Sequence, residues 1–508
     1  MAMWHKIVIF LYLLSIRMTV MATGQAKKNI LFLIADDAGF ETPVYGNTVC
    51  QTPNLDRLAA QSVVFDNAFT SVSSCSPSRA ALLTGLPSHQ NGMYGLHHSV
   101  HHFNSFDGVV SLPALVRQHG VRTGIIGKKH VGPSSVYPFD FSYTEEDGHS
   151  ILQVGRNITH IKELVGRFLA TTPRSQPWFL YVGFHDPHRC GHTHPELGQF
   201  CERFGADGGI PDWTPVWYSP DSVEVPYNVQ DTPAARADIA AQYTTVSRLD
   251  QGVGLVLAQL ERFGLTDSTL VVYTSDNGAP FPGGRTNLYE PGVAEPLLLS
   301  VPGVGGRRQA SPVSLLDLVP TALDWLGISY PHYHLNNRTA AVTLTGRSLL
   351  SLAQKDHAVS RSVFASQAFH EVTMTYPMRA VRGTRYKLIH NINYRLPFPI
   401  DQDFYLSPTF QDLLNRTVSG EPVPWYKTLH GYYHRPEWEL FDLKRDPREL
   451  HNLASKASHQ ERLARLRRRL ESWQWLSDDP WVCAPHGVLQ NAGAHRHRPL
   501  CMPLHDEL

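Results

Sequence analysis

Four short apolar runs, each followed by polar or charged residues, constrain the fold of this 508-residue chain most strongly. They occupy residues 29–35, 121–126, 178–184 and 269–274. A short run without alternation is typical of a strand that is buried on both faces of a parallel sheet. Residues 233–264, between the last two runs, keep apolar side chains at helical spacing. The pattern predicts an α/β fold in which helices flank a large sheet.

Each predicted strand is followed by side chains that can carry chemistry. In chain order these are Asp36 and Asp37, then Lys128 and His130, then His185 and His188, and finally Asp276 and Asn277, with Arg285 a few residues later. Ligands of α/β sheets bind at the carboxyl ends of the strands. We therefore expect these residues to meet in one pocket.

The pair Asp36 and Asp37 directly follows the first apolar run. Two adjacent carboxylates at the end of a buried strand repel each other unless a cation lies between them. Oxygen ligands of this kind suit Ca²⁺ or Mg²⁺. A helix cap or a solvated turn is the alternative interpretation, which is common for a single aspartate.

The segment from Cys75 to Gly85 predicts a helix that begins beside a cysteine. Ser76 is a good N-cap residue and Pro77 suits the first helical position, so Cys75 should lie just before the helix. Unpaired N–H groups at a helix N-terminus favour an anionic oxygen there, and Arg79 lies on the same face. The alternative is a buried or disulfide-bonded cysteine.

Export is indicated by the first 23 residues, which read as a signal peptide with a short apolar core. That core is too short to span a bilayer. Three acceptor triplets predict glycosylation at Asn157, Asn337 and Asn415. Lys plus Arg and Asp plus Glu number 45 each, which argues against a nucleic-acid-binding protein.

A second, smaller domain is predicted towards the carboxyl end. Residues 379–389 alternate as antiparallel strands do, and Leu463, Leu466, Leu470 and Trp473 keep helical spacing. The predicted organisation is a signal peptide at 1–23, a catalytic domain at 24–370 and a carboxyl-terminal domain with a small antiparallel sheet at 371–508.

The motif Cys-x-Pro-x-Arg at Cys75–Arg79, followed by Leu-Thr-Gly, resembles the signature of type I sulfatases. Further stretches carry the resemblance over most of the chain, namely LFLIADDAGF, GIIGKKHVGP, FHDPHRCGH, TSDNGAPFPGGRTNLY and PFPIDQDFY. The resemblance implies an alkaline-phosphatase-like fold, with a large mixed sheet flanked by helices and a smaller carboxyl-terminal α+β domain.

The resemblance also implies roles for individual residues. Cys75 would be oxidised by the formylglycine-generating enzyme, and its hydrated aldehyde would be the nucleophile. One Ca²⁺ per chain would be held by Asp36, Asp37, Asp276, Asn277 and the modified Cys75. Arg79, Lys128 and Arg285 would bind the sulfo group. His188 would protonate the leaving atom, and His130 would assist elimination of sulfate.

The implied activity is removal of N-linked sulfate from terminal N-sulfoglucosamine residues of heparan sulfate in the lysosome, by a homodimer. An O-sulfatase acting on another glycosaminoglycan sulfate ester is the close alternative. A phosphoryl-transfer enzyme and a glycosaminoglycan-binding protein with an inactive site are more distant ones. The last four residues spell an ER-retention signal, so partial retention there is compatible with the sequence.

The six cysteines fit the same interpretation. With Cys75 committed to chemistry, the short-range disulfides are Cys190 with Cys201 and Cys483 with Cys501, which leaves Cys50 unpaired.

Overall fold

The computed structural model describes residues 28–147, 154–191, 197–335 and 341–504. The predicted signal peptide, Asn337 and the carboxyl-terminal tetrapeptide lie outside the described residues. Within that part of the chain, the helices are all too short or too polar to cross a bilayer.

A mixed sheet of nine strands forms the centre of the fold, in the order β4-β3-β5-β1-β6-β7-β2-β8, with β9 also paired to β2. The strands are β1 (Asn29–Ala35), β2 (Val63–Phe69), β3 (Arg122–Gly127), β4 (Phe141–Thr144), β5 (Trp178–Gly183), β6 (Thr269–Ser275), β7 (Ala294–Ser300), β8 (Arg307–Gln309) and β9 (Val313–Ser314). The four predicted strands are β3, β5, β1 and β6, which are parallel neighbours. The large mixed sheet predicted from the sequence is therefore present.

Helices cover both faces of this sheet. The helices of the described residues are α1 (Pro53–Ala60), α2 (Cys75–Thr84), α3 (Ser88–Asn91), α4 (Leu112–Gln118), α5 (Ile158–Thr171), α6 (Pro233–Arg262), α7 (Glu290–Val293), α8 (Leu318–Leu326), α9 (Leu350–Ala353), α10 (Gln402–Tyr405), α11 (Pro408–Ser419), α12 (Leu429–Tyr433) and α13 (Gln460–Leu476). Of these, α2, α4 and α8 pack on one face of the central sheet, and α1, α5 and α6 pack on the other. Alternate residues of β1 enter two separate cores: Ile30 packs with residues of α2 and α8, and Leu31 packs with residues of α5 and α6. Burial on both faces explains why β1 is apolar at nearly every position.

A second, antiparallel sheet lies in the carboxyl-terminal part of the chain. Its order is β10 (Val363–Phe369), β11 (Thr375–Arg382), β12 (Tyr386–Asn391) and β13 (Trp438–Asp442). Leu463, Leu466, Leu470 and Trp473 of α13 pack on this sheet, as their spacing predicts. The domain boundary at residue 370 falls between β10 and β11 and stays a prediction.

A short hairpin completes the chain, formed by β14 (Gly487–Gln490) and β15 (Leu500–Pro503). A disulfide joins Cys483 to Cys501, and the second predicted disulfide joins Cys190 to Cys201. Cys50 is buried and is not in a disulfide.

Gly127 ends β3 and directs the next residue, Lys128, towards the carboxyl ends of the neighbouring strands. Its φ is +86°, and a Cβ atom at this position would lie 2.1 Å from the carbonyl oxygen of Gly183 on β5. Lys128 N donates a hydrogen bond to the same oxygen, at 2.8 Å. Only glycine satisfies both the left-handed backbone and this close approach.

We expect Gly127→Ala to lower the free energy of unfolding by about 2–4 kcal/mol, because backbone strain and steric overlap add. Denaturant unfolding monitored by circular dichroism measures this change. Gly120→Ala is the matched control, since Gly120 has φ +77° but no heavy atom lies within 4 Å of its added Cβ. Equal losses of unfolding free energy in the two variants would show that steric overlap with Gly183 does not destabilise Gly127→Ala.

Candidate active site

Cys75 is the first residue of α2 and is buried. The N-cap is Ser74, with extended backbone, so the predicted cap at Ser76 is wrong by two positions. Ser76 instead accepts a hydrogen bond from His97 N, at 2.9 Å, which removes its hydroxyl from a capping role. The functional expectation is unchanged, because Cys75 still lies at the positive end of a helix.

The two predicted acidic pairs lie side by side. Parallel pairing of β1 with β6 aligns Ala35 with Ser275, so Asp36 and Asp37 emerge next to Asp276 and Asn277. Asp37 N donates to Asp276 Oδ1 at 3.1 Å, and Asn277 Nδ2 donates to Asp37 Oδ1 at 2.6 Å. All four residues are completely buried.

Cys75 faces these carboxylates. Its Sγ lies 3.8 Å from Asp37 Oδ1. Sγ and one carboxylate oxygen from each of Asp36 and Asp276 lie within 4.8 Å of one another. The segments that carry Asp36, Cys75 and Asp276 are distant in sequence but meet at one point. The sequence predicted this meeting, because polar residues follow each of the predicted strands.

Three basic side chains complete the inner wall of the site. Arg79 Nε donates to Asp276 Oδ2 at 2.8 Å, and Arg285 Nη1 donates to Asp37 Oδ2 at 2.6 Å. Lys128 Nζ forms an ion pair with Asp36 Oδ2. Each base is buried and each is already held in place by a carboxylate, so the positive groups are positioned before any ligand arrives.

The ionisation of the three aspartates reflects this packing. Burial raises the pKa of Asp37 to about 6 despite Arg285, and that of Asp276 to about 7 despite Arg79. Burial also opposes ionisation of Asp36, but Lys128 and Arg79 outweigh it and hold the pKa of Asp36 well below its usual range. Carboxylates crowded in this way favour an additional positive charge between them.

The site has the donor atoms that a metal ion requires. Asn277 Oδ1 is a buried oxygen without a hydrogen-bond partner among the described residues. Asp36 Oδ1 likewise accepts no hydrogen bond there, but it lies 3.3 Å from Arg79 Nη2 in an ion pair. Three carboxylates and an amide oxygen form a hard ligand set. Two other groupings of ligand atoms are Asp36 with His185 and His188, and Asp37 with Cys75 and His188. The structure therefore contains a possible metal site in the buried cluster around Cys75.

His188 lies between the acidic cluster and the opening of the site. Its Nδ1 lies 2.6 Å from the carbonyl oxygen of Arg189, and its Nε2 lies 3.0 Å from Arg285 Nη1. The first contact requires a proton on Nδ1, which leaves Nε2 as the acceptor in the neutral ring. Burial, together with Lys128, holds the pKa of His188 well below its usual range.

His130 lies in the wall of the site and has a left-handed backbone at φ 57°. Its Nε2 is hydrogen-bonded to His98, and its backbone N–H donates to Glu146. Burial and Lys128 hold its pKa well below the usual range, so the ring is neutral. His185 stacks edge-on against His188 and is hydrogen-bonded to Glu145, at 2.9 Å.

A cavity of about 450 Å³ opens in front of these residues. Its wall includes Cys75, Lys128, His130, His188 and Arg285, and His370, Glu371, Gln402 and Asp403 from the carboxyl-terminal part of the chain. Every residue predicted to be catalytic or to bind metal lies in or directly behind this wall. The roles assigned to the individual residues stay predictions.

Several residues of the site were not assigned a role from the sequence. Arg285 Nη2 forms ion pairs with Asp401 and Asp403, and His98 contacts His130. Asp401 and Asp403 lie in the stretch PFPIDQDFY, which carries part of the family resemblance. That resemblance was the sequence signal that could have identified Asp401 and Asp403 as site residues. Nothing local in the stretch indicates contact with Arg285, more than 100 positions away.

The predicted glycosylation sites differ in exposure. Asn415 is exposed on α11. Asn157 is half-buried and caps α5, where its side chain accepts a hydrogen bond from His160 N at 3.1 Å. Glycosylation at both positions stays a prediction.

Comparisons with known proteins agree with this geometry. The profile of the family described as Sulfatase matches residues 28–328, and that described as N-sulphoglucosamine sulphohydrolase, C-terminal, matches residues 416–475. The human protein named N-sulphoglucosamine sulphohydrolase is 60% identical over 488 residues, which cover 95% of this chain and 96% of that protein. An ulvan-active sulfatase of Formosa agariphila is 27% identical, and the match covers 88% of this chain and 74% of that protein.

The fold is also found among solved structures. One described as a complex with its substrate, D-glucosamine-2-N,6-O-disulfate, superposes with a TM-score of 0.62 at 21% identity, covering 89% of this chain and 98% of that one. The family profile spans more than half of this chain, and the human relative extends over nearly all of it. This chain therefore belongs to the sulfatase family.

Proposed function

We infer that this protein hydrolyses the N–S bond of N-sulfoglucosamine and releases inorganic sulfate and glucosamine. The observation that carries this inference is 60% identity to human N-sulphoglucosamine sulphohydrolase over 95% of the chain. The match to the carboxyl-terminal profile of the same enzyme supports it. The chain is a sulfatase-family hydrolase with the complete set of polar residues that the family resemblance implies.

The substrate we propose is the terminal N-sulfoglucosamine residue of heparan sulfate. A cavity of about 450 Å³ with the reacting group at its base suits one sugar at a chain end. The two disulfides indicate a protein of the secretory pathway. The lysosome is the compartment we propose, with a homodimer as the assembly.

We propose that Cys75 acts as formylglycine, made by the formylglycine-generating enzyme during maturation. Burial, which Lys128 only partly offsets, raises the pKa of the Cys75 thiol well above its usual value. An unmodified side chain would therefore be a neutral thiol, which is a weak nucleophile. A hydrated aldehyde at the same position offers two hydroxyl groups and needs no thiolate.

In the first step, one hydroxyl of residue 75 attacks sulfur. The new O–S bond forms as the S–N bond breaks, and the bonding electron pair stays on nitrogen. Because the neutral His188 ring carries its proton on Nδ1, its Nε2 takes the proton that the attacking hydroxyl loses and passes it to nitrogen. Arg79, Lys128 and Arg285 hold the sulfo oxygens and stabilise the negative charge that develops on them.

In the second step, the remaining hydroxyl of residue 75 loses its proton, and the C–O bond to sulfate breaks. The aldehyde is formed again, sulfate leaves, and a water molecule restores the hydrate. His130 is placed to take the proton because its ring is neutral and its Nδ1 has no hydrogen-bond partner among the described residues. Its contact with His98 fixes the orientation of the ring.

The metal we propose is Ca²⁺, held by Asp36, Asp37, Asp276, Asn277 and the oxidised Cys75. These ligands are oxygens, whereas zinc sites usually include thiolate or imidazole. When bound, Ca²⁺ supplies positive charge that favours the ionised hydrate and the sulfo group. His188 is kept for proton transfer in this assignment, because its Nε2 faces Arg285.

Paired substrates test the activity. We expect kcat/KM for N-sulfoglucosamine to exceed that for glucosamine 6-sulfate by at least about 100-fold. A site shaped for one substrate loses about this much in kcat/KM when a polar group of the other substrate lies in the wrong place. Sulfate release measured by ion chromatography gives both values. Faster hydrolysis of the ester would favour an O-sulfatase acting on another glycosaminoglycan ester.

A further inference from the structure

Asp403 reaches the cavity from the carboxyl-terminal part of the chain, immediately beside His188. Asp403 Oδ1 pairs with Arg285 Nη2 and accepts a hydrogen bond from Phe404 N, at 2.8 Å. The other oxygen, Oδ2, lies 3.9 Å from His188 Nε2. About 14% of the Asp403 side chain is exposed, and it forms part of the cavity wall.

The neighbouring Asp401 uses the same basic partner but has a different environment. It also pairs with Arg285 Nη2, yet it is 1% exposed and is not part of the cavity wall. Asp401 therefore helps to position Arg285 from behind. Asp403 combines that contact with direct access to the space in front of His188.

The chemistry of the two possible leaving groups differs in charge. Hydrolysis of the N-sulfo group follows R–NH–SO₃⁻ + H₂O → R–NH₃⁺ + SO₄²⁻, so the sugar leaves as a cation. Hydrolysis of a sulfate ester leaves a neutral alcohol instead. An amine resembling an α-amino group, with a pKa of about 7.7–8.0, is protonated in an acidic compartment.

We propose that Asp403 is a specificity-determining residue, whose carboxylate binds the nitrogen of the leaving glucosamine as that nitrogen becomes an ammonium group. This inference rests on the proposed function, because it assigns the nitrogen to the side of the cavity occupied by His188. A carboxylate at this place favours a cationic product over a neutral one, and it disfavours an anionic group there. Burial opposes ionisation of Asp403, but Arg285 and a hydrogen bond with Asp401, which asparagine at position 401 can still donate, hold the pKa of Asp403 well below the usual range.

Binding measurements test the proposal without depending on turnover. Calorimetric titration of the calcium-loaded enzyme with glucosamine and with N-acetylglucosamine compares a cationic with a neutral ligand. We expect the wild type to prefer glucosamine. Asp403→Asn should reduce that preference by about tenfold or more, the loss typical of a charge-assisted hydrogen bond. Its affinity for inorganic sulfate should be unchanged or increased.

Two further variants separate recognition from structural damage. Asp403→Glu keeps the charge and should retain the preference for glucosamine. Asp401→Asn removes the other carboxylate on Arg285 and should also retain the preference, because Asp401 does not reach the cavity. Loss of the preference in Asp401→Asn to the same extent would assign the effect to Arg285 and overturn the proposal.

The outcomes also distinguish this inference from the proposed function. A wild type that releases no sulfate from N-sulfoglucosamine contradicts the function itself. A wild type that does release sulfate, but shows no preference for glucosamine, overturns the role of Asp403 alone. A folded Asp403→Asn variant that keeps the wild-type preference for glucosamine also overturns the role of Asp403.

Discussion

Replacing Cys75 with alanine should reduce sulfate release by at least about 10⁴-fold, the scale of loss seen when a covalent nucleophile is removed. The variant should fold, because alanine is smaller than the native side chain at the first residue of α2 and suits a helix. Initial rates on N-sulfoglucosamine measure the loss, and circular dichroism checks the fold.

Cys50→Ala is the matched control for this experiment. Cys50 is the other buried cysteine outside the two disulfides, and it lies in a separate apolar cluster with Tyr243 and Ile239. We expect its loss to leave turnover essentially unchanged. Mass spectrometry of the peptide containing residue 75 should show an aldehyde in the active wild-type protein. An intact thiol in fully active enzyme would contradict the assignment of the nucleophile.

The second large effect is expected for Asp36→Ala, which should weaken calcium binding by at least about 100-fold and reduce turnover with it. Asp36 is buried, and one of its oxygens has no hydrogen-bond partner among the described residues. Its removal also leaves Lys128 in the site without its ion-pair partner. Calorimetric titration of chelator-treated protein with Ca²⁺ measures the affinity.

Asp479→Ala provides the comparison for a buried aspartate outside the site. Asp479 forms a buried ion pair with Arg379, so its loss should destabilise the fold by about 3–5 kcal/mol. Its calcium affinity should nevertheless match that of the wild type. Normal calcium affinity in Asp36→Ala would instead place the metal elsewhere.

The sheet could be predicted from the sequence because its signal is local. Residues 29–35 are apolar at nearly every position, and burial on both faces of a parallel sheet requires this whatever the neighbours are. The rule that ligands bind at the carboxyl ends of such strands then placed Asp36, Lys128, His188 and Asp276 together. The predicted cap at Ser76 is wrong, because the helix already begins at Cys75 and the Ser76 hydroxyl accepts a hydrogen bond from His97 N.

Local sequence patterns were sufficient to predict which strands form the centre of the sheet, which side chains follow them and that a helix begins beside Cys75. Only the tertiary structure decided what those side chains contact. Arg285 meets Asp401 and Asp403 across 116 and 118 residues, and His130 meets His98 across 32. Periodicity and capping depend on neighbours along the chain, whereas these contacts depend on how distant segments pack together around the end of the sheet, which no local pattern records.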